Sequence, residues 1–237
     1  MAAVIPRGPR ALLSSLGGDL REFAFPQLCP GCGGRADPAR PLCDACVARI
    51  PRLAAPLCAR CLARGRSPAS CARHQAHVVW AAWLYDERAA LVVHALKFGA
   101  RPRLAQGLGE VLSAAVPPAP RWDLVLDVPL HAARRRERGY NQAGLLADSV
   151  SRVSGVPRLA GALERRRATR PQSLLRPEER RLNVADAFRV RRPEWLRGRN
   201  VLIVDDVMTT GATLEACLDV LAKAGARAAG VALAWAQ

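Results

Sequence analysis

The sequence predicts an α/β protein: a parallel sheet flanked by helices, preceded by a small cysteine-rich domain. Three observations carry this. Beyond residue 76, short apolar segments alternate with stretches of helical periodicity, the pattern of a parallel sheet with helices on its faces. Seven of the eight cysteines lie between Cys29 and Cys71. Hydrophobic residues make up 50% of the 237, enough for a substantial core, and no apolar run reaches the ~18 residues of a membrane span.

The elements follow in order. Residues 78–85 read as a strand and 87–97 as a helix. Residues 123–127 form a second strand. Residues 140–154 form a helix with Leu145, Leu146 and Val150 on one face. The unbroken apolar run 200–204 suits a strand buried on both faces. Residues 213–224 carry Leu214, Cys217, Leu218 and Leu221 at helical spacing, and Gly225 stands where that helix would end. A last strand covers 230–235. The small domain is assigned to 20–76 and the α/β domain to 77–237. A segment as small as the first, poor in bulky apolar residues, needs metal or crosslinks to hold it.

Charge is lopsided. Lys+Arg total 36 against 20 Asp+Glu, for a net charge of +16. Only Lys97 and Lys223 are lysines. A coding bias can exchange Lys for Arg but does not create the excess, which points to a polyanionic partner or a phosphorylated substrate. The N-terminus has no secretory apolar core, since Gly8, Pro9, Ser14, Ser15, Gly17 and Gly18 interrupt it, so a cytoplasmic location is expected.

The cysteine spacing is that of metal knuckles. Cys29, Cys32, Cys43 and Cys46 form one set of two CxxC turns; Cys58, Cys61, Cys71 and His74 form the other. Each turn presents two ligands to a tetrahedral Zn2+ and a second turn closes the site. Gly31, Gly33 and Gly34 permit the first turn, and His77 competes with His74 as a ligand. A cytosolic chain disfavours a disulfide framework. Sequential ribbons fit the hairpin-length loops, with interleaved pairing as the alternative. Cys217, alone on an apolar helix stripe, reads as a core thiol.

The segment Val201-Leu-Ile-Val-Asp-Asp-Val-Met-Thr-Thr-Gly-Ala-Thr-Leu214 is the most informative. A buried strand reaches two acids, then a small-residue loop, then a helix. Such a loop lies at the carboxyl end of a parallel strand, where open α/β sheets bind ligands. Helix N–H groups with the hydroxyls of Thr209, Thr210 and Thr213 make a phosphate cradle, and Gly211 and Ala212 allow close approach. Asp205 and Asp206 would repel a phosphate, so they suit hydroxyls or a metal. A ribose 5-phosphate satisfies both halves. A Walker B strand is excluded because neither lysine stands in a Walker A context.

This segment resembles the phosphoribosyl pyrophosphate (PRPP) motif of type I phosphoribosyltransferases. Val128-Pro-Leu-His131, Arg138-Gly-Tyr-Asn-Gln142, Leu146-Ala147, Thr169 with Gln172 and Leu175, Arg180 with Asn183, Phe188 and the cysteine-rich start from Phe25-Pro26 resemble the ComF family from about residue 20 onward. His74 departs from the cysteine that such sequences commonly carry. The resemblance implies a type I phosphoribosyltransferase fold behind a double zinc ribbon. It also implies PRPP bound with Mg2+, with phosphoribosyl transfer to an acceptor that the sequence does not identify. A role in natural competence and DNA uptake follows, with single-stranded DNA and a competence helicase as partners. The alternative is a non-catalytic protein that binds PRPP or a nucleotide and single-stranded DNA. By the same resemblance, residues 128–139 form a pyrophosphate loop with Arg134 and Arg138 as contacts. Residues 165–183 form a closing loop, with Gln172, Arg180 and Asn183 as the catalytic choices. Residues 134–192 hold 16 arginines against 6 acids. Of these, Arg135, Arg136, Arg166 and Arg167 read as solvated. His94 reads as structural, His131 as a weak ligand candidate, and Trp80, Trp83, Trp122, Trp195 and Trp235 as core or rim more than base-stacking residues.

Overall fold

The computed structural model describes residues 28–37, 40, 42–53, 55–62, 71, 77–98, 102–117, 121–166 and 186–237. One sheet runs in the order β1 (Leu57–Cys58), β2 (Val78–Leu84), β7 (Arg227–Trp235), β6 (Asn200–Met208), β3 (Leu124–Asp127). The last four are mutually parallel, and β1 pairs antiparallel with β2. A separate antiparallel pair joins β4 (Leu163–Arg165) and β5 (Phe188–Val190).

Strand periodicity sorts β6 onto two cores. Val201 and Ile203 pack with Leu214, Cys217, Leu218 and Leu221 of α6 (Ala212–Lys223). Leu202 and Val204 face the opposite layer: α2 (Glu87–Phe98), α3 (Gly109–Ala114) and α5 (Gln142–Ser154). Double-sided burial is why 200–204 is apolar without alternation. Leu218 and Leu221 are fully buried, each worth ~1.5–3 kcal/mol of apolar transfer. Since β6 leads to α6 on one face and β3 leads toward α5 on the other, a crevice opens between their carboxyl ends.

The cysteine-rich segment, which carries the short helix α1 (Asp44–Ala48), covers the outer edge of β2, which would otherwise expose unpaired backbone groups. Leu53 N–H bonds Ala82 O at 3.2 Å, Leu84 N–H bonds Pro51 O at 2.8 Å, and Ala59 N–H bonds His77 O at 2.9 Å. Cys29, Leu42, Cys46 and Ile50 join the α2-side core; Leu57 and Ala59 join the α6-side core. The boundary expected near residue 76 falls in 72–76, outside the described residues.

β1, β4 and β5 were not expected from the sequence, β7 begins at Arg227 instead of residue 230, and three further elements differ. β6 continues past Val204 through Asp205 and Asp206 to Met208, because β7 offers ladder partners as far as Trp235. Residues 128–139 hold a helix, α4 (Ala132–Arg138). It starts at His131, whose Nδ1 accepts from Ala133 N at 3.3 Å, and stops at Gly139 with φ +82°. The third is α3, reached through the 3-10 turn Pro102–Leu108, in a stretch without a clear periodic signal.

α3 and α5 meet backbone to backbone at Gly109. A Cβ there would lie 2.6 Å from the Ser149 carbonyl oxygen and 2.7 Å from its carbon, neither of which can yield without parting the helices. Gly109→Ala is therefore expected to destabilise the protein by about 1–3 kcal/mol, read as a lowered thermal midpoint.

Candidate functional site

β6 carries Asp205 and Asp206 into the crevice, 8% and 5% exposed. Asp206 N–H bonds Asp205 Oδ1 at 2.8 Å, and Val207 N–H bonds Asp206 Oδ1 at 2.9 Å. Lys97, in the last turn of α2, stands 3.0 Å from Asp206 Oδ2. The two carboxyls are driven apart. Burial, then the charge on Asp206, pushes Asp205 well above the ordinary carboxylate range. Burial is the largest influence on Asp206 and works upward, but the Lys97 ammonium together with hydrogen bonds from Lys97, Asp205 and the Val207 N–H outweighs it and holds Asp206 low. The two carboxyls are thus shifted in opposite directions, the protonated form being favoured at Asp205 and the ionised form at Asp206.

The loop after β6 is pinned at its start, where Trp235 Nε1–H bonds Thr209 O at 3.2 Å and Ala236 N–H bonds Met208 O at 2.9 Å. Gly211, at φ +76°, begins α6 with no side-chain cap on the helix. The first N–H groups of a 12-residue helix are thereby left for an anion. Thr210 Oγ1 is buried and finds no hydrogen-bond partner among the described residues.

A cleft of about 160 Å³ lies before the acids. Its wall includes Lys97, His131, Arg134, Gln142, Arg165, Asp205, Asp206 and Thr213; Thr209, Gly211 and Ala212 line an adjoining hollow. The segment 138–142 assembles this wall residue by residue. Arg138 Nη1–H bonds Gln142 Oε1 at 2.7 Å, and Tyr140 Oη–H bonds Leu96 O at 2.7 Å, beside Lys97. Asn141 Nδ2–H bonds Asp127 Oδ2 at 2.8 Å and Val128 O at 3.0 Å, fixing the loop after β3. Arg158 completes this anchor with Nη2 2.8 Å from Asp127 Oδ1.

Of the residues expected at the site, Arg134 lies in the wall with both acids and Thr213. Arg138 lies outside it, its guanidinium 5.1 Å over the Phe98 ring and bonded to Gln142. Gln172, Arg180, Asn183 and His74 lie outside the described residues. His94 is exposed against Phe98. Trp80, Trp83 and Trp235 are buried, Trp122 sits edge-on to Trp80, and Trp195 is 49% exposed beneath Arg192. Sequence reasoning missed Lys97 and Arg165. Lys97 is one of only two lysines, but the other, Lys223, is exposed in the last turn of α6, so rarity alone did not mark it.

The cysteines gather as two sequential sets. Cys29, Cys32, Cys43 and Cys46 bring their sulfurs within 4.8 Å of one another, as do Cys58, Cys61 and Cys71. Cys32 and Cys43 Sγ are 3.6 Å apart, Cys61 and Cys71 Sγ 3.7 Å. A tetrahedron with Zn–S of ~2.3 Å has an edge of about 3.8 Å, whereas a disulfide needs ~2.05 Å. The sulfurs therefore fit a shared ion. Burial pushes Cys29 up, but N–H groups of Cys43, Gly31 and Cys32 outweigh it, and the thiol falls to about 6. Burial and the neighbouring sulfurs push Cys46 up to about 12. His77 directs Nε2 to Asp219 Oδ1 at 3.0 Å.

Residues 111–237 match the phosphoribosyl transferase domain family. The chain belongs to this family. This phosphoribosyltransferase-family chain is 36% identical over 148 residues to the DNA utilization protein YhgH of Escherichia coli O157:H7, covering 60% of this chain and 64% of that protein's length. It is 33% identical to DNA utilization protein YhgH of Salmonella typhi over 78% of this chain and 86% of that one. Competence protein F of Haemophilus influenzae is 34% identical over 60% of this chain and 65% of that protein. The expected membership of the ComF group is borne out by these relatives, and the type I phosphoribosyltransferase fold by the family match. Among the described residues no helix is long and apolar enough to cross a membrane.

Proposed function

We propose that the crevice between β3 and β6 binds PRPP with Mg2+, and that the chain transfers its phosphoribosyl group to an acceptor in the service of DNA uptake. The observation that carries this reading is the buried Asp205–Asp206 pair running into the uncapped start of α6. In this reading the acids hold the ribose 2′ and 3′ hydroxyls, and the hydroxyls and N–H groups of 209–213 hold the 5-phosphate. Arg134, Lys97 and Arg165 face the pyrophosphate, and Arg138 acts by holding Gln142. Two carboxylates also offer the oxygen donors a hard cation prefers; bound Mg2+ would supply charge neutralisation on the pyrophosphate. In the transfer, the acceptor's lone pair forms a bond to C1 as the bond from C1 to the pyrophosphate oxygen breaks. The electron pair leaves with the pyrophosphate, so fixed cations at that oxygen stabilise the charge that develops. Arg180, with Gln172 and Asn183, would close over the ligand. Zn2+ at both cysteine sets, with His74 completing the second, would hold the small domain, and a cytoplasmic location fits free thiols.

The second reading is PRPP and single-strand binding without turnover. The exposed Arg135 and Arg136 of α4 and Arg189 of β5 favour it, together with the relatives' names; a competence helicase would be a partner under either reading. The deciding experiment measures pyrophosphate release from PRPP against bases, ammonia and nucleic acid, alongside single-strand affinity at several salt concentrations. Transfer requires acceptor-dependent release that Arg180→Ala weakens. Binding alone requires no release and an affinity that falls steeply with log salt.

A further inference from the structure

The second cysteine knuckle touches the phosphate loop. Between Cys58 and Cys61 stand Ala59 and Arg60, and both reach α6. A Cβ built on Gly211 would lie 2.4 Å from the Ala59 carbonyl oxygen and 3.2 Å from Leu62 Cδ2. Arg60 Nε stands 3.6 Å from Glu215 Oε1 in the first turn of α6. The close approach that Gly211 permits is thus made by the knuckle.

The two knuckles differ at one matching position. Gly33 N–H closes the first turn on Cys29 O at 2.8 Å with φ +71°; Leu62 N–H closes the second on Cys58 O, also at 2.8 Å, with φ +55°. A leucine there carries backbone strain that glycine would not. What Leu62 gains is a side chain packed on the α6-side core and beside Gly211. The first knuckle packs on the other face of the sheet, with Trp80 and Trp83.

We propose that the Cys58–Cys61 knuckle positions the phosphate loop, so that metal at Cys58, Cys61 and Cys71 and phosphate at 209–213 bind cooperatively. The identity of the phosphate ligand rests on the PRPP reading above; the contact does not. Shared ligation of one ion fixes the turn that carries the Ala59 carbonyl. Without it, Gly211 loses the wall that holds its left-handed conformation. Linkage makes the coupling reciprocal, so phosphate tightens the metal by the factor by which metal tightens phosphate.

The test uses the full-length, zinc-loaded protein and compares Cys61→Ser with Cys32→Ser, each shown to have lost one metal. Amide hydrogen exchange at 209–215 is expected to rise about tenfold more in Cys61→Ser than in Cys32→Ser, and the calorimetric Kd for PRPP with Mg2+ to weaken by a similar factor. Gly211→Ala keeps every cysteine, and in chelator competition it should lose the second zinc sooner while the first is retained. Equal exchange in the two cysteine variants, or unaltered zinc retention in Gly211→Ala, overturns the proposal. A wild-type protein that fails to bind PRPP refutes the ligand assignment instead, and the exchange and chelator measurements still decide the coupling.

Discussion

PRPP with Mg2+ is expected to raise the thermal midpoint, and Asp205→Asn combined with Asp206→Asn to abolish that rise while the fold survives. A ligand at a hundred times its Kd stabilises the native state by about 2.7 kcal/mol, roughly 5–10 °C for a chain of this size. The double variant keeps the shape of both side chains, so its own melting should remain cooperative. The pH dependence separates the two acids. Asp205 has a raised folded value, so its contribution to stability is fully present near the ordinary 3.8 and is lost as pH rises through the raised value. Asp206 has a lowered value, and its contribution is present above 3.8 and lost as pH falls below it. Asp205→Asn should therefore flatten the decline in midpoint above about pH 4, and Asp206→Asn the decline below it. A double variant that shows the full PRPP shift would refute the ribose assignment.

The parts of this site that lie close together in sequence were legible, and those assembled across the fold were not. The strand, loop and helix from Val201 to Leu214 announce themselves because doubly buried β6 must be apolar and the turn into α6 is built of small residues. The strand's true end was hidden: Asp205 and Asp206 interrupt the apolar run, yet ladder bonds to β7 carry it on to Met208. Lys97 neutralises Asp206 from a helix more than 100 positions earlier, a pairing that no local pattern encodes. The helix at Ala132–Arg138 escaped notice because its buried face is nil, which leaves no apolar period to read. Gly211 was expected to let a phosphate approach closely; the group that the structure brings against it is the Ala59 carbonyl, some 150 residues away.

Metal is expected at about two Zn2+ per reduced chain, one being lost in Cys29→Ser. Cys29 is buried, its sulfur 3.3 Å from the Cys43 N–H, and Gly31 leaves only enough room for the Cys46 sulfur, 3.1 Å from where a Cβ would stand. The first quartet packs its sulfurs at the spacing of ligands that share one ion. Structural zinc binds comparable knuckles with ~10–16 kcal/mol at neutral pH, far more than the few buried side chains of residues 28–62 can supply. Those residues also cover the outer edge of β2 and bring Leu42 and Ile50 to Trp80 and Trp83. Losing even ~3 kcal/mol of metal binding would lower the midpoint by roughly 6–12 °C. A strong chelator should do so reversibly, with hydrogen exchange first rising over 28–62 and the paired core of β6 and β7 opening last. Metal analysis of the purified protein and exchange with and without chelator check both statements. A zinc-free protein that keeps residues 28–62 protected would show that the cysteines hold the segment by packing alone.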